Sequence, residues 1–321
     1  VQILFITSNR LGDAILSTGL LGALKDRYPE ADITLVCGPL PAPLFWAVPQ
    51  VRHVIELKKQ PWSGHWLGLW REVAFTRWDI VVDLRQSIVS RLIMAKKRII
   101  WKKPAGRPHK VEELGALMGF DAPAPRLWHS EQVLYFAEEL IPKDESTTGL
   151  VLALAPGANS VGKTWPIERY AALAQRLTAP DGLLPNARVM LLGDERDHET
   201  VKPILESVPS DRVIDLTGAI DIAVTAACIE RADFYIGNDS GLTHLAAAAG
   251  VPTLALFGPG VAWKYRPWGD HAAYISKTDD PTRDRDLCAD GDDEAALALM
   301  KRITIDDAVE AATALWHKTQ S

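Results

Sequence analysis

The chain has 321 residues, 47% hydrophobic and 24% charged. At roughly 100 to 200 residues per domain this describes a packed protein of two domains, not a disordered, collagen-like or coiled-coil chain. The formal charge is −6, too acidic for a protein that works by neutralising nucleic-acid phosphates, so no nucleic-acid partner is expected. The charge is also uneven, with 19 Lys/Arg against 16 Asp/Glu over residues 1–148 and 16 against 25 over residues 149–321, which points the two halves at different partners.

The first residues form an apolar run that meets Arg10 and Asp13 too early for a signal peptide. Cys37, Cys228 and Cys288 are too far apart for a zinc-ligand pair or a disulfide framework, and the expectation is a cytoplasmic protein. Residues 3–7 predict a strand, 8–13 a turn, and 14–28 a helix with Leu16, Leu20 and Leu24 on one face, stopped by Pro29. Strands are predicted at 33–36, 54–57, 80–84 and 98–101. Trp62, Trp66 and Trp70 recur at spacing four, read as a buried helix stripe in preference to a lipid contact. From Lys96 to Lys110 there are seven Lys/Arg and no acid, with Trp101 inside. Such a run is either a solvated face or the place where an anionic acceptor or anionic membrane surface docks.

Residues 142–149 are polar and aperiodic and read as a linker. Strands then recur at 150–155, 188–192, 213–216, 234–236 and 253–257, with helices near 166–178, 196–207, 221–231 and 241–249. The stretch 245–263 carries no charge, but Gly250, Pro252, Gly258, Pro259 and Gly260 interrupt it too often for a membrane span. Residues 278–294 read as a solvated acidic loop, and 305–318 as a closing helix. Short apolar runs alternating with amphipathic stretches predict an α/β fold of two doubly wound, Rossmann-like domains in tandem.

In such sheets ligands bind beyond the carboxyl ends of the strands. The segment Ile236-Gly-Asn-Asp-Ser-Gly-Leu-Thr-His-Leu carries a strand through a turn into a helix. Its amides could cradle a diphosphate with Ser240 and Thr243 as hydroxyl donors, or Asp239 or Ser240 simply caps the helix. Gly157 to Thr164 formally satisfies a Walker spacing, but Trp165-Pro166 delays the helix that should follow. Lys163 as a point charge on a phosphate is the simpler reading, with a plain surface lysine as its alternative. Asp197 or Glu195 could take ribose hydroxyls or cap the next helix. In the first half, Asn9-Arg-Leu-Gly-Asp-Ala lacks the dinucleotide glycine pattern, and Asp13 is either a general base or a helix cap.

Together these blocks resemble the heptosyltransferases of lipopolysaccharide core assembly, glycosyltransferase family 9. The likeness rests on Arg10-Leu-Gly-Asp-Ala-Ile-Leu-Ser-Thr, Asp79-Ile-Val-Val-Asp-Leu-Arg, Lys163-Thr-Trp-Pro, Leu192-Gly-Asp-Glu-Arg-Asp with His198, and Gly237-Asn-Asp-Ser-Gly-Leu-Thr-His-Leu through Phe257-Gly-Pro. Met300 to Val309 matches the closing segment, although Leu299 stands where many relatives have cysteine.

The resemblance implies a GT-B fold, with domains facing each other across a cleft. Residues 1–145 would be the acceptor domain and 150–300 the nucleotide-sugar domain, with 304–321 a helix that is a candidate for packing back on the first domain. It implies inverting, metal-independent transfer from ADP-heptose to a lipopolysaccharide-core or other anionic glycan acceptor, without a cofactor. The site would lie at the cytoplasmic face of the inner membrane, with peripheral contact. Carried over by position, Asp13 is the base and Lys163 the donor-phosphate contact. Asp197 would meet the ribose, and Asp239, Ser240, Gly241, Leu242, Thr243 and His244 would surround the diphosphate. Arg10, Arg85, Arg91 and Arg107 are acceptor-side candidates from charge. A nucleotide-sugar epimerase, a solute-binding protein and a P-loop phosphotransferase are the rival classes.

Overall fold

In the computed structural model, which describes residues 1–143, 149–280 and 292–320, the chain divides into Val1–Ser130 and Glu131–Ser321. The first unit is built on five parallel strands, β1 (Gln2–Ile6), β2 (Asp32–Cys37), β3 (Val51–Glu56), β4 (Trp78–Asp83) and β5 (Ala95–Ile100), in the order β3-β2-β1-β4-β5. The helix expected over 14–28 is two helices, α1 (Leu11–Leu16) and α2 (Thr18–Arg27). The buried Ser17 and Thr18 hydroxyls donate to the Ala14 and Ile15 carbonyls, each at 2.7 Å, and this back-bonding breaks the run.

Helix α3 (Gly64–Val73) and the short α4 (Val89–Leu92) share one core with the sheet. There Leu69, Val73, Val89 and Ile93 meet Trp78, with Trp66 and Trp70 packed alongside. Trp62 leaves the predicted stripe: it precedes the helix at φ 53° and is fully exposed. Helix α5 (Lys110–Ala116) follows the edge strand β5.

The second unit begins with α6 (Glu131–Leu140), so the division comes earlier than the linker expected at 142–149, of which 144–148 lie outside the described residues. Its strands are β6 (Val151–Ala155), β7 (Arg188–Leu191), β8 (Val213–Asp215), β9 (Phe234–Asn238), β10 (Thr253–Phe257) and β11 (Ala272–Ser276). All are parallel, in the order β11-β10-β9-β6-β7-β8. Strand β11 was not predicted, because a half-buried edge reading Ala-Ala-Tyr-Ile-Ser shows no apolar run. The helices are α7 (Ile167–Thr178), α8 (Lys202–Ser207), α9 (Ile222–Glu230), α10 (Gly241–Ala248) and the short α11 (Ala262–Tyr265). The helix expected from 196 starts only at Lys202, with Pro203 in its first turn, where a missing N–H costs nothing.

Within the acidic stretch 278–294, residues 281–291 and with them Cys288 lie outside the described residues. Its last two residues already belong to α12 (Asp293–Lys301). The closing helix α13 (Ile305–Gln320) was a candidate for return to the first domain. It buries Ala308, Ala312 and Leu315 in the core of the second unit, where its apolar residues recur at helical spacing and Trp316 meets Phe234 at 6.1 Å. Among the described residues no helix is long and apolar enough to cross a membrane.

Helix α13 is started by Asp307, whose carboxylate accepts from Lys277 Nζ, Thr304 N and Thr304 Oγ1, each at 2.9 Å. Lys277 foremost, with the Thr304 amide, holds its pKa down at about 2. An unfolded aspartate titrates near about 3.9, so this stabilisation is complete above about pH 4 and fades as pH falls through about 2. Asp307→Asn should therefore melt below the parent protein at neutral pH, and the gap should close by about pH 2, as read by thermal denaturation across that range.

Candidate active site

The second sheet changes winding direction between β6 and β9, and at such a switch point two loops diverge and leave a crevice above the strand ends. The residue that joins the two loops here is Asn238, the wholly buried last residue of β9. Its Nδ2 donates to the Pro156 carbonyl at 2.5 Å, and its Oδ1 accepts from Trp165 N at 3.2 Å and Tyr170 Oη at 3.1 Å. The loop after β6 is thereby tied to the end of β9. Across the top of that tie, Lys163 Nζ meets Asp239 Oδ2 at 2.6 Å. Asp239 is so tightly seated that a Cβ at Gly260 would come within 2.6 Å of the same oxygen.

Helix α10 opens beside this pair. Ser240 is extended, with φ −142°, and gives no side-chain cap, so the amides of Gly241, Leu242 and Thr243 have no partner among the described residues. Free first-turn N–H groups, a helix dipole and an adjacent lysine are the groups that can hold an anion. The Thr243 hydroxyl, expected to face a ligand, is turned inward. It donates to the Asn238 carbonyl at 2.5 Å and lies 3.2 Å from the buried Tyr235 hydroxyl, so Thr243 can offer a ligand only its amide. His244 is also buried. The Walker reading departs from the geometry, since Lys163 lies in a 3-10 turn (Val161–Lys163) and Pro166, not the lysine, precedes α7.

Asp197 stands after β7, the second strand of the unit, in a 3-10 turn (Glu195–Asp197). Its Oδ2 accepts from Asp194 N at 2.9 Å, and Cβ atoms at Gly157 or Gly193 would fall 2.5 or 2.7 Å from it. Both loops thus carry glycine where a carboxylate needs the space. Burial raises the Asp197 pKa above the usual carboxylate range, against the hydrogen bond from the Asp194 amide, which lowers it. Asp197 therefore caps its turn and also sits at the crevice edge, while Glu195 is exposed.

The first sheet has its own switch point, between β1 and β4. Asp13 lies half-buried in the first turn of α1. The cap position belongs to Arg10, without a side-chain bond, and the Asp13 carboxylate has no partner among the described residues. That removes capping as its role. Nearby, Arg85 Nη1 donates to Asn9 Oδ1 at 2.7 Å, and its guanidinium lies 5.2 Å from the Trp66 ring centre. Burial lowers the Arg85 pKa, with buried Asp83 opposing. The turn that carries Arg85 is closed by Asp83, which accepts from the Arg85 amide, the Ser87 amide and the Ser87 hydroxyl.

Arg10 and Arg85 therefore belong to the β1 and β4 loops, whereas Arg91 is exposed on α4 and Arg107 is exposed on the segment after β5. Asn238 and Asn9 were given no role from the sequence, and Trp66 was read only as part of a buried helix stripe. The one signal for Asn238 was its place inside the Gly-Asn-Asp-Ser-Gly block. Among the described residues no group of three or more His, Cys, Asp or Glu is placed to hold a metal ion.

Comparison with known proteins gives a consistent picture. The sequence model of glycosyltransferase family 9 (heptosyltransferase) matches residues 90–289. The lipopolysaccharide heptosyltransferase 2 of Salmonella typhimurium is 28% identical over 298 residues, covering 81% of this chain and 83% of that one. The crystal structure of a family 9 glycosyl transferase from Veillonella parvula superposes with a TM-score of 0.81 at 22% identity, covering 99% of this chain and 97% of that one. The E. coli ADP-heptose lps heptosyltransferase II does so with a TM-score of 0.77 at 21% identity, covering 100% of both chains. These likenesses give the fold as GT-B, in agreement with the two parallel-sheet α/β units.

Asn238→Ala would strand the Pro156 carbonyl, the Trp165 amide and the Tyr170 hydroxyl without partners in the core. At about 1–3 kcal/mol for each such group, the loss of stability should reach about 3 kcal/mol or more by urea denaturation. Tyr170→Phe removes only one of these donors and should cost about 1 kcal/mol.

Proposed function

Because the chain belongs to glycosyltransferase family 9, the heptosyltransferases, and is a glycosyltransferase, we propose that it moves a heptose from ADP-heptose to an anionic lipopolysaccharide-core acceptor, with inversion and without a metal ion. The Salmonella relative is named for lipopolysaccharide and the E. coli structure for ADP-heptose, and the residues present suit both. In this reading the second unit binds the donor, the first binds the acceptor, and the enzyme works at the cytoplasmic face of the inner membrane. The observation that carries the reading is the Lys163–Asp239 pair at the uncapped start of α10.

A diphosphate seated on the α10 amides would lie beside Asp239, a like charge, and Lys163 is the cation that reconciles the two. Lys163 and Asp239 side chains are 31% and 13% exposed. Lys163 is the more exposed of the two and its ammonium has three donors, so it can keep its bond to Asp239 while donating to an incoming phosphate. Asp197 would take the ribose from its seat between the β6 and β7 loops.

In the reaction, the unpartnered carboxylate of Asp13 removes the proton from an acceptor hydroxyl. The oxygen attacks the anomeric carbon from the face opposite the diphosphate, the glycosidic bond to ADP breaks, and configuration inverts. Negative charge gathers on the departing diphosphate, where Lys163 and the amides at 241–243 are already aimed and need no reorganisation. Arg85, held by Asn9 and Trp66, is the better-positioned of the acceptor-side arginines to meet an anionic group.

Calorimetry with ADP-, GDP- and UDP-linked sugars should show preference for the adenine nucleotide, and tighter binding of a UDP-sugar would remove the donor assignment. Asp13→Ala should lower kcat by about 10²–10⁴-fold while donor Kd stays near the parent value. Lys163→Ala should lower kcat by about 10²–10³-fold and weaken ADP binding as well. Full turnover by the Asp13 variant would refute its role as base, and isomerised sugar formed without acceptor would identify an epimerase.

A further inference from the structure

Residues 58–110 hold 13 Lys/Arg against 3 Asp/Glu in a chain whose net charge is −6, so the remainder carries −16. The structure cancels little of this excess. Of the three acids, Asp83 is buried and bonded to Ser87, and Asp79 is paired with Lys96 at 2.7 Å. On the basic side, Arg98 is turned onto the Ser90, Ile93 and Ala95 carbonyls, and Lys110 is paired with Glu113. Arg71, Arg91, Lys97, Lys102 and Lys103 are exposed and make no ion pair among the described residues.

The same elements expose apolar side chains. Helices α3 and α4 lie side by side with their inner residues in one core, and β5 is the sheet edge next to them. On the outer side, Leu67, Ile88, Leu92 and Met94 are 52%, 65%, 64% and 50% exposed, while Trp62 and Phe75, at the two ends of α3, are 101% and 85% exposed. Soluble surfaces scatter such residues singly, and their gathering on one layer marks a contact surface. The combination of charge and apolar surface selects the partner. Cations without apolar groups suit any polyanion, and apolar groups without charge suit a second protein. Cations interleaved with protruding Trp, Phe, Ile and Leu match a headgroup layer over hydrocarbon.

We propose that the outer face of the α3–α4 layer, with the adjoining edge strand β5, is a docking surface for an anionic lipid bilayer. The acidic remainder of the chain adds orientation, since a negative surface attracts this face and repels the others. The assignment is independent of which nucleotide sugar the second unit binds.

The test is co-sedimentation of the full chain with vesicles of equal parts phosphatidylcholine and phosphatidylglycerol, against vesicles of phosphatidylcholine alone, at low and high salt. Binding is expected to the anionic vesicles only and to weaken with salt. Each Lys or Arg near such a surface contributes about fivefold to partitioning, so Lys97→Glu with Lys102→Glu should reduce it by about 25-fold or more. Ile88→Ser with Leu92→Ser should reduce it by about tenfold or more at unchanged surface charge. Lys202→Glu, on the second unit, should leave it unaltered, and melting curves verify that every variant is folded. Absence of binding to anionic vesicles, equal binding to both kinds, or indifference to both double variants would overturn the proposal. So would a dimer in sedimentation velocity that the Ile88/Leu92 variant dissociates while the parent ignores vesicles; this would make the face a contact between copies.

Discussion

The geometry of the candidate site in the second unit depends on one buried amide. Asn238 has no contact with water, and each of its side-chain polar atoms is answered by a group of another element: a carbonyl in the loop after β6, an amide before α7, and a hydroxyl on α7. In a low-dielectric interior such a set is costly unless complete, and once complete it fixes relative positions sharply. Lys163 and Asp239 project from the two segments so joined. Trp165 reinforces the arrangement, since it is buried, meets Tyr170 edge-on at 5.0 Å and donates its indole N–H to the Ile303 carbonyl at 2.9 Å. The distance between a lysine and a carboxylate 76 residues apart is thus set by packing that neither residue makes itself.

Much of the fold was readable because parallel strands buried on both faces leave short continuous apolar runs, and Pro and Gly mark where these stop. The failures are equally physical. Ser17 divides a helix that Leu spacing made continuous, because a hydroxyl can take a backbone carbonyl that the pattern of apolar residues does not register. Trp62 fits a helical stripe by spacing and lies outside the helix by backbone conformation. Strand β11 derives its register from β10, a long-range pairing with little local signal.

The candidate site was legible where function depends on sequence-local chemistry, and obscure where it depends on folding. Lys163, Asp239 and the Gly-Leu-Thr amides belong to compact blocks and stood out. The inward turn of the Thr243 hydroxyl did not, because it is decided by a carbonyl five residues back and a tyrosine eight residues back on the strand. Asp13 could not be separated from a helix cap by sequence, since both roles place a carboxylate at a helix start. The absence of any bond from its side chain among the described residues makes the distinction.

In the proposed reading the acidic half is the one that binds the anionic donor, and its charge distribution is compatible with that. Residues 149–321 carry 16 Lys/Arg against 25 Asp/Glu, so its long-range field repels polyanions in general. What remains for recognition is short-range: amides at one helix terminus and one lysine, effective within a turn of the helix and ineffective beyond it. A small diphosphate could reach those groups, whereas an extended phosphate chain would meet the net negative charge of this half. In that reading, specificity would come from repulsion everywhere except at the α10 amides and Lys163. In the first half, with 19 Lys/Arg against 16 Asp/Glu, the balance is reversed, and the positive groups are side chains spread over a surface and not amides gathered at one helix terminus.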